Sequence, residues 1–414
     1  MNLAIYIAKR LKGDATSVGR VSRLGTIIAT VSVGISIFVM ILSVSIIRGF
    51  RDEIENKAAG FTGHILMEAP GAGFITDPVP MSTQLSYFQN LPTLQQIDHI
   101  QEFAISPGLI KTESALQGVS LKGVGPSFRW NFFKENLKEG KLPSLNDSVS
   151  SSEILISFRL AGLLNLHTND IVTMYFIGEN VRMRRFVISG IYDAQLEDID
   201  NHLILGDIRH ARKLNGWSDD QVSGVELFLK DSRNIEKKQE QIEEYIIRNT
   251  SDTDQGVVLR NIRKIYAHLY DWLDLMDINV AILLTLMILV GGFNMISGLL
   301  IMLVEKTSMI GLFKSMGMKD RQVRMSFLAH SFGIALRGVI WGTVLAVIFC
   351  IVQDTTHFLK LNPASYFVSS VPVSLIWWHV VLVDILGIAA IMLLVQLPLR
   401  GIVRVSPDKA IRMN

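Results

Sequence analysis

The sequence predicts an α+β membrane protein, with four transmembrane helices and a large exported domain between helices 1 and 2. Three observations carry this. Apolar residues make up 49% of the 414 residues and the mean hydropathy is +0.34, both high for a soluble chain. Four stretches, residues 24–47, 278–304, about 327–352 and about 373–399, each reach the roughly 20 residues that cross a hydrocarbon core. Between the first and second lies a segment, 48–277, in which short apolar runs alternate with helical patterns, the mixture expected of an α+β domain.

Residues 1–23 read as a cytoplasmic amphipathic N-terminal helix, with Leu3, Ile7 and Leu11 spaced by four. The first span, 24–47, carries Gly25, Ala29, Ser32, Gly34 and Ser36. Small residues let helices approach closely in lipid, so this span is expected to pack on protein. It is too long for the apolar core of a cleaved signal peptide and reads as an uncleaved anchor. Basic residues cluster before it (Lys9, Arg10, Lys12, Arg20, Arg23), between the second and third spans, and after the fourth (Arg400, Arg404, Lys409, Arg412). The loop 353–372 holds one Lys and one Asp. The positive-inside rule then puts both termini and the segment 305–326 in the cytoplasm, and 48–277 and 353–372 outside.

In the exported domain, 48–277, strands are expected at 64–67, 108–112, 119–123, 154–157, 171–177, 182–189, 202–205, 224–230 and 256–260. Helical patterns fall at 83–90, 128–137, 159–164, 208–214 and 235–248. A tight hairpin is expected at Gly178-Glu179-Asn180, and the loop 142–152 is a candidate boundary between two lobes. Helical stalks flank the domain. One continues the first span through 51–59. The other, 263–277, runs unbroken into the second span, 278–304.

The stretch 305–328 separates the second span from the third, 327–352. Met309, Ile310, Leu312, Phe313 and Met316 share a short helix that Gly317 can end in a left-handed conformation, and Asp320 can cap the next helix. Apolar side chains among Lys306, Lys314, Lys319, Arg321 and Arg324 suit docking to a partner protein, or an amphipathic loop resting on anionic lipid. The fourth span, 373–399, and the tail, 400–414, complete the chain.

Several chemistries are excluded. The chain has no phosphate-binding G-x-x-x-x-G-K-[ST] loop, no H-E-x-x-H, no paired Cys-x-x-Cys and no G-x-S-x-G. Its net charge of +2 gives no argument for nucleic acid, and the lone Cys350 sits in an apolar run as a packing residue. The acidic run Asp193, Glu197, Asp198 and Asp200 with His202 lacks metal-ligand spacing and reads as a solvated loop. Within the spans stand Asn294, His330, Arg337 and Asp384. Ionisable groups at membrane depth are costly and face the bundle or water. Depth counting brings Arg337 and Asp384 within reach of each other, so an ion pair is expected. A hydrated cation or proton path, and an Arg337 that snorkels to the cytoplasmic surface, are the competing readings.

Specific residues carry a family resemblance. They are Ile7-Ala8-Lys9-Arg10-Leu11, then Leu42-Ser43-Val44-Ser45-Ile46-Ile47-Arg48-Gly49-Phe50, and Gly63-His64-Ile65. Further along come Glu305-Lys306-Thr307 with Ile310-Gly311-Leu312-Phe313-Lys314-Ser315-Met316-Gly317-Met318, and Ser406-Pro407-Asp408-Lys409-Ala410-Ile411-Arg412. With the order of spans, this pattern resembles the FtsX-like permeases of ABC transporters, most nearly the lipoprotein-releasing LolC/LolE type. The short hairpin 174–186, without a proline-bearing extension, brings it nearer LolE.

The resemblance implies a MacB-like periplasmic core in 48–277 and a bacterial inner-membrane location. It implies a non-catalytic subunit that binds no cofactor itself and relies on ATP-Mg held by a separate ABC ATPase dimer. Its other partners would be a second permease copy or paralogue, a lipoprotein or other amphiphile, and a periplasmic carrier, although the short hairpin argues against carrier recruitment by this chain. Glu305, Lys306, Ile310, Gly311, Leu312, Phe313, Lys314, Met316 and Gly317 would couple to the ATPase, with Glu305 and Lys314 at the rim. Val39, Leu42, Ile46, Val280, Leu283 and Met287 would line the entry for acyl chains. The alternative is an FtsX-like signalling subunit that switches a periplasmic partner without moving a substrate.

Overall fold

The computed structural model describes residues 19–402 except 74–76, 89, 113–114, 147–148, 178–180 and 253. The expected amphipathic segment 2–11, the hairpin tip 178–180 and the tail beyond 402 lie outside the described residues. By internal contacts the chain divides into two compact units. One gathers the described residues up to Arg51, Trp272–Lys360 and those from Ser370 on. The other holds Asp52–Asp271 together with Leu361–Ser369.

Four helices long and apolar enough to cross a membrane make the first unit. They are α1 (Gly19–Thr62), α8 (Ala267–Glu305), α10 (Asp320–Thr356) and α12 (Trp377–Ile402). At 1.5 Å per residue, the 44 residues of α1 extend about 65 Å, roughly twice a hydrocarbon core. The fourth helix starts at Trp377, later than the expected 373. Residues ahead of it are held elsewhere: the Ser374 amide donates to the Ser45 carbonyl at 3.0 Å.

Within this unit α1 is the hub. A Cβ on Gly342 would lie 2.4 Å from the Gly34 carbonyl oxygen, and one on Gly338 2.7 Å from that of Thr30. Any larger residue there would part α1 from α10. Gly298 approaches Gly25 in the same way, bringing α8 onto α1. Val33, Ile37, Met40 and Ile41 of α1 are buried in a cluster with Met295, Leu299, Val339, Ala346, Val383 and Ile391 from the other three helices.

In the second unit, the described residues form a ten-stranded sheet in the order β12-β1-β11-β3-β4-β9-β6-β8-β5, with β7 paired to β3 and β8. Its strands are β1 (Ile65–Glu68), β3 (Ile97–Lys111), β4 (Leu116–Val124), β5 (Leu137–Gly140), β6 (Glu153–Ser157), β7 (Ile171–Ile177), β8 (Val181–Tyr192), β9 (Leu203–Asp207), β11 (Gly224–Leu229) and β12 (Val258–Asn261). A separate pair joins β2 (Met81–Ser82) to β10 (Gln221–Val222). Helices α2 (Asn131–Glu135), α3 (Phe158–Leu164), α4 (Glu197–Asp200), α5 (Ile208–Asn215), α6 (Ile235–Asn249) and α7 (Ile262–Ile265) complete the domain.

Four expectations need correction. The loop 142–152 is no lobe boundary, because β5 before it and β6 after it both pair with β8. The described residues of 83–90 form a bend and turns instead of a helix. Thr83 donates through its amide and hydroxyl to the Asp220 carbonyl, and Ser86 bonds the Asp254 carboxylate; such local polar partners compete with helical bonds. The strand expected at 108–112 is the end of a 15-residue strand, β3. The second stalk does run unbroken into the second span, but only from Ala267: α7 ends at Ile265, and Tyr266 (φ −109°, ψ 45°) separates it from α8.

The long β3 escaped notice because its polar residues are satisfied across the sheet. Lys122 of β4 and Glu226 of β11 are both wholly buried and form an ion pair. Gln101 of β3 donates to the other oxygen of Glu226 at 2.6 Å. The Lys122 ammonium also donates to the Phe61 carbonyl, in the last turn of α1, at 2.5 Å. Around that turn, Phe61 meets the rings of Phe132, Phe133 and Tyr192 at centroid distances of 5.2, 5.6 and 6.2 Å.

Lys122→Ala strands the Glu226 carboxylate in this core, and should cost about 3–5 kcal/mol of domain stability. The double variant Lys122→Met with Glu226→Leu should recover most of it, as scanning calorimetry of the detergent-solubilised chain will show.

Asp200 offers a pH test. Burial is the main cause raising its carboxyl from 3.8 to about 7, with the Asp193 charge adding to it, while bonding to the Leu196 amide and the charge of Lys57 oppose the rise. Between about pH 4 and 7 the folded chain therefore holds a proton that the unfolded chain has released. This contribution to stability is complete below about pH 4 and is lost as pH rises through 7. The melting temperature of Asp200→Asn should vary less steeply than wild type over that window.

Candidate functional site

The segment between the second and third spans is built as a short helix and a sharp turn. Helix α9 (Thr307–Ser315) follows α8 after a single turn residue, Lys306. Gly317 then adopts φ +92°, a left-handed conformation that a side chain would resist. Lys319 precedes α10, and its amide donates to the Gln322 side chain at 3.0 Å. Asp320 is thus the first helical residue and not the cap. Its carboxylate instead takes the Lys314 ammonium at 2.7 Å.

That pairing changes the expected docking surface. Leu312 and Met316 stand out, 59% and 77% exposed. Gly311 is buried, and Ile310 packs back against the core of the four-helix bundle. Lys314 has a side chain only 11% exposed and joins α9 to α10 instead of standing at a rim. Neither carboxylate oxygen of Glu305 meets a hydrogen-bond donor, although both are buried. Lys306 is half-buried and Gly317 exposed. The Phe313 side chain lies outside what the structure describes.

Deeper in the bundle, the expected Arg337–Asp384 ion pair is absent among the described residues. Asp384 accepts from the Thr343 hydroxyl at 2.9 and 3.0 Å, while Arg337 is exposed and donates from Nε to the Gly333 carbonyl at 3.0 Å. Counting depth ignored azimuth. Six residues separate Arg337 from Thr343, about 240° around a helix, so the face that reaches Asp384 is not the face of Arg337. Asn294 donates to the Ser32 hydroxyl at 2.6 Å, tying α8 to α1. His330 lines a small cavity between α1, α8 and α10 with Thr26, Met295, Gly298, Met302 and Ser331. Val39, Leu42, Ile46, Val280, Leu283 and Met287 are all half-buried, and Met287 packs against the bundle core.

Sequence reasoning named Ser32 only as a small packing residue, not as the partner of Asn294, and missed Thr343, the partner of Asp384. A hydroxyl on the neighbouring span was the available signal, because small hydroxyl residues are the usual hydrogen-bond partners between membrane helices.

Comparison with known proteins places this architecture. Residues 26–245 match the MacB-like periplasmic core domain family, and residues 281–407 match the FtsX-like permease C-terminal family. The chain belongs to the FtsX-like permeases with a MacB-like periplasmic core domain. This permease is 24% identical to the lipoprotein-releasing system transmembrane protein LolC of Xylella fastidiosa strain Temecula1, over 98% of its own length and 96% of the relative's. It is 21% identical to the transmembrane protein LolE of the same kind of system from Haemophilus influenzae, over 92% and 93% of the two chains. Among solved structures, the periplasmic region of MacB from Actinobacillus actinomycetemcomitans matches with a TM-score of 0.35 and 13% identity, covering 51% of this chain and 95% of that one. The permease is thus a multi-pass inner-membrane subunit with a periplasmic domain between its first two spans, and is not itself an enzyme.

The Asp384 assignment predicts unequal effects. Thr343→Val leaves a half-buried carboxylate without its donor and should destabilise the solubilised permease by about 1 kcal/mol, whereas Arg337→Gln should stay within about 0.5 kcal/mol. Thermal melts of the two variants in one detergent compare them directly.

Proposed function

We propose that this permease couples ATP hydrolysis by a separate ABC ATPase dimer to movement of its periplasmic domain, and thereby extracts lipoproteins from the outer leaflet of the inner membrane. The observation that carries the reading is its likeness, over nearly its full length, to transmembrane proteins of lipoprotein-releasing systems. The geometry supports it. Helix α9 offers exposed Leu312 and Met316 as apolar knobs, on a hairpin bonded to the first residue of α10, the helix that becomes the third span. The first span continues as one helix into the periplasmic domain. A stroke delivered at the hairpin therefore meets stiff elements. The reading places both termini and the hairpin in the cytoplasm, and pairs this chain with a second permease, identical or paralogous. ATP and Mg are held by the ATPase.

Purification from native membranes with mass spectrometry should recover an ABC ATPase and acylated proteins. Recovery without any ATPase overturns the proposal, and ATP hydrolysis without release of acylated protein from reconstituted vesicles favours the signalling alternative. Leu312→Asp and Phe313→Asp should each weaken ATPase capture about tenfold or more, since each puts an unpaired charge into an apolar socket. Leu312→Asp, made at an exposed position, should leave the melting temperature unchanged.

A further inference from the structure

The loop between the third and fourth spans is not a slack connector. At its root, Gln353 in the last turns of α10 is fully buried. Its amide nitrogen donates to the Val371 carbonyl at 3.0 Å, and its oxygen accepts from the Leu359 amide at 3.1 Å. Val371 and Leu359 bond each other at 2.9 Å, Lys360 bridges to Ser370, and the Leu361 amide donates to the Ser369 carbonyl at 2.9 Å. The chain leaves α10 and returns toward α12 as a two-stranded tongue, tipped by the short helix α11 (Pro363–Tyr366). Its roots, Lys360 and Ser370, belong by their contacts to the membrane unit, whereas its tip, Leu361–Ser369, belongs with the periplasmic unit.

A buried lysine binds the tip. Lys57 lies on α1 beyond the first span, with its side chain 5% exposed. Its ammonium donates to the Phe367 carbonyl at 2.8 Å and to the Gln195 side-chain oxygen at 3.1 Å, with the Glu53 carboxylate 3.6 Å away. An ammonium has three donors and no acceptor; two are taken by these oxygens, and the Glu53 carboxylate balances the charge. Burial of a charge this complete is tolerated only where such partners are fixed. Phe367 is fixed: it closes α11 with φ +59°, its amide bonded to the Pro363 carbonyl. Asp193, the other carboxylate near Lys57 besides Asp200, is engaged by Lys138 at 2.6 Å.

We infer that the tongue is a third mechanical link to the periplasmic domain, with Lys57 as the positioning residue that latches its tip to α1. Helix α10 begins at Asp320, bonded to Lys314 of the docking helix, and ends at the root of the tongue. Motion of the hairpin thus has a route to the domain through α10, besides the two helices covalently continuous with it. This inference rests on the functional reading above, in which the hairpin receives the ATPase stroke.

The test uses the full permease with its copurified ATPase in nanodiscs. Hydrogen exchange is followed across residues 361–369, and acylated protein released is measured per ATP hydrolysed. Lys57→Met should raise exchange in 361–369 about tenfold or more and lower release per ATP several-fold, with ATP hydrolysis retained. Lys57→Arg, which keeps charge and donors, should restore both to near wild type. Gln353→Leu, which frees the root, should reproduce the Lys57→Met signature at a second site and serves where Lys57→Met does not assemble. Wild-type exchange and coupling in Lys57→Met, or in Gln353→Leu where it stands in, overturn the latch. If wild type itself releases nothing, the functional reading fails, while the exchange comparison still decides whether Lys57 holds the tongue.

Discussion

The Lys122 ammonium, shared between the Glu226 carboxylate and the Phe61 carbonyl, is the interaction on which the rest of the structure depends. A helix that leaves a membrane span has exhausted its lipid contacts, and its last carbonyls face outward without intrahelical partners. Here one of those carbonyls is taken up inside the sheet by a buried cation, at the negative end of the helix dipole, where a positive charge is favoured. The rings of Phe132, Phe133 and Tyr192 close around the same turn. The end of α1 is therefore embedded in the core of the periplasmic domain. An apolar pair of the same volume could be as stable, but it could not donate to the Phe61 carbonyl.

Inside the membrane the same helix is organised by opposite means. Lipid tails give little hydrophobic gain for helix association, so close approach and interhelical hydrogen bonds must supply it. Gly34 against Gly338 and Gly342, Gly25 against Gly298, and Ser32 with Asn294 do this along successive turns of α1. One helix thus carries two packing codes, glycine-mediated contact along the span and aromatic and ionic locking at its tip.

How much of this was legible depended on whether a residue's role followed from its own neighbourhood. The spans were legible because hydropathy is a local property, and Gly317 because a left-handed terminus is nearly a glycine privilege. Most strands and the helices 208–214 and 235–248 were legible from period alone. Gln101, Lys122 and Glu226 were not: each looks like a surface letter, and only the pairing of β3 with β4 and β11 makes them a buried set. Ile310 and Leu312 were assigned to one docking surface, yet two positions along a helix turn about 200°, and Ile310 packs on the bundle while Leu312 is exposed. Lys57 looked like one more charge on an amphipathic stalk, because its partners Gln195 and Phe367 lie 138 and 310 residues away.

The interruption at Tyr266 makes the two helical connections to the periplasmic domain mechanically unlike. A continuous hydrogen-bonded helix resists bending and twisting along its whole length, whereas a break in the ladder concentrates compliance at one point. On that basis α1 behaves as a shaft, able to convey torque as well as thrust, and α8 as an arm with a single joint beside Tyr266. In the coupling proposed above, torsion of the membrane helices would then be delivered to the domain unequally. The shaft would set its rotation, and the jointed arm would follow without opposing it.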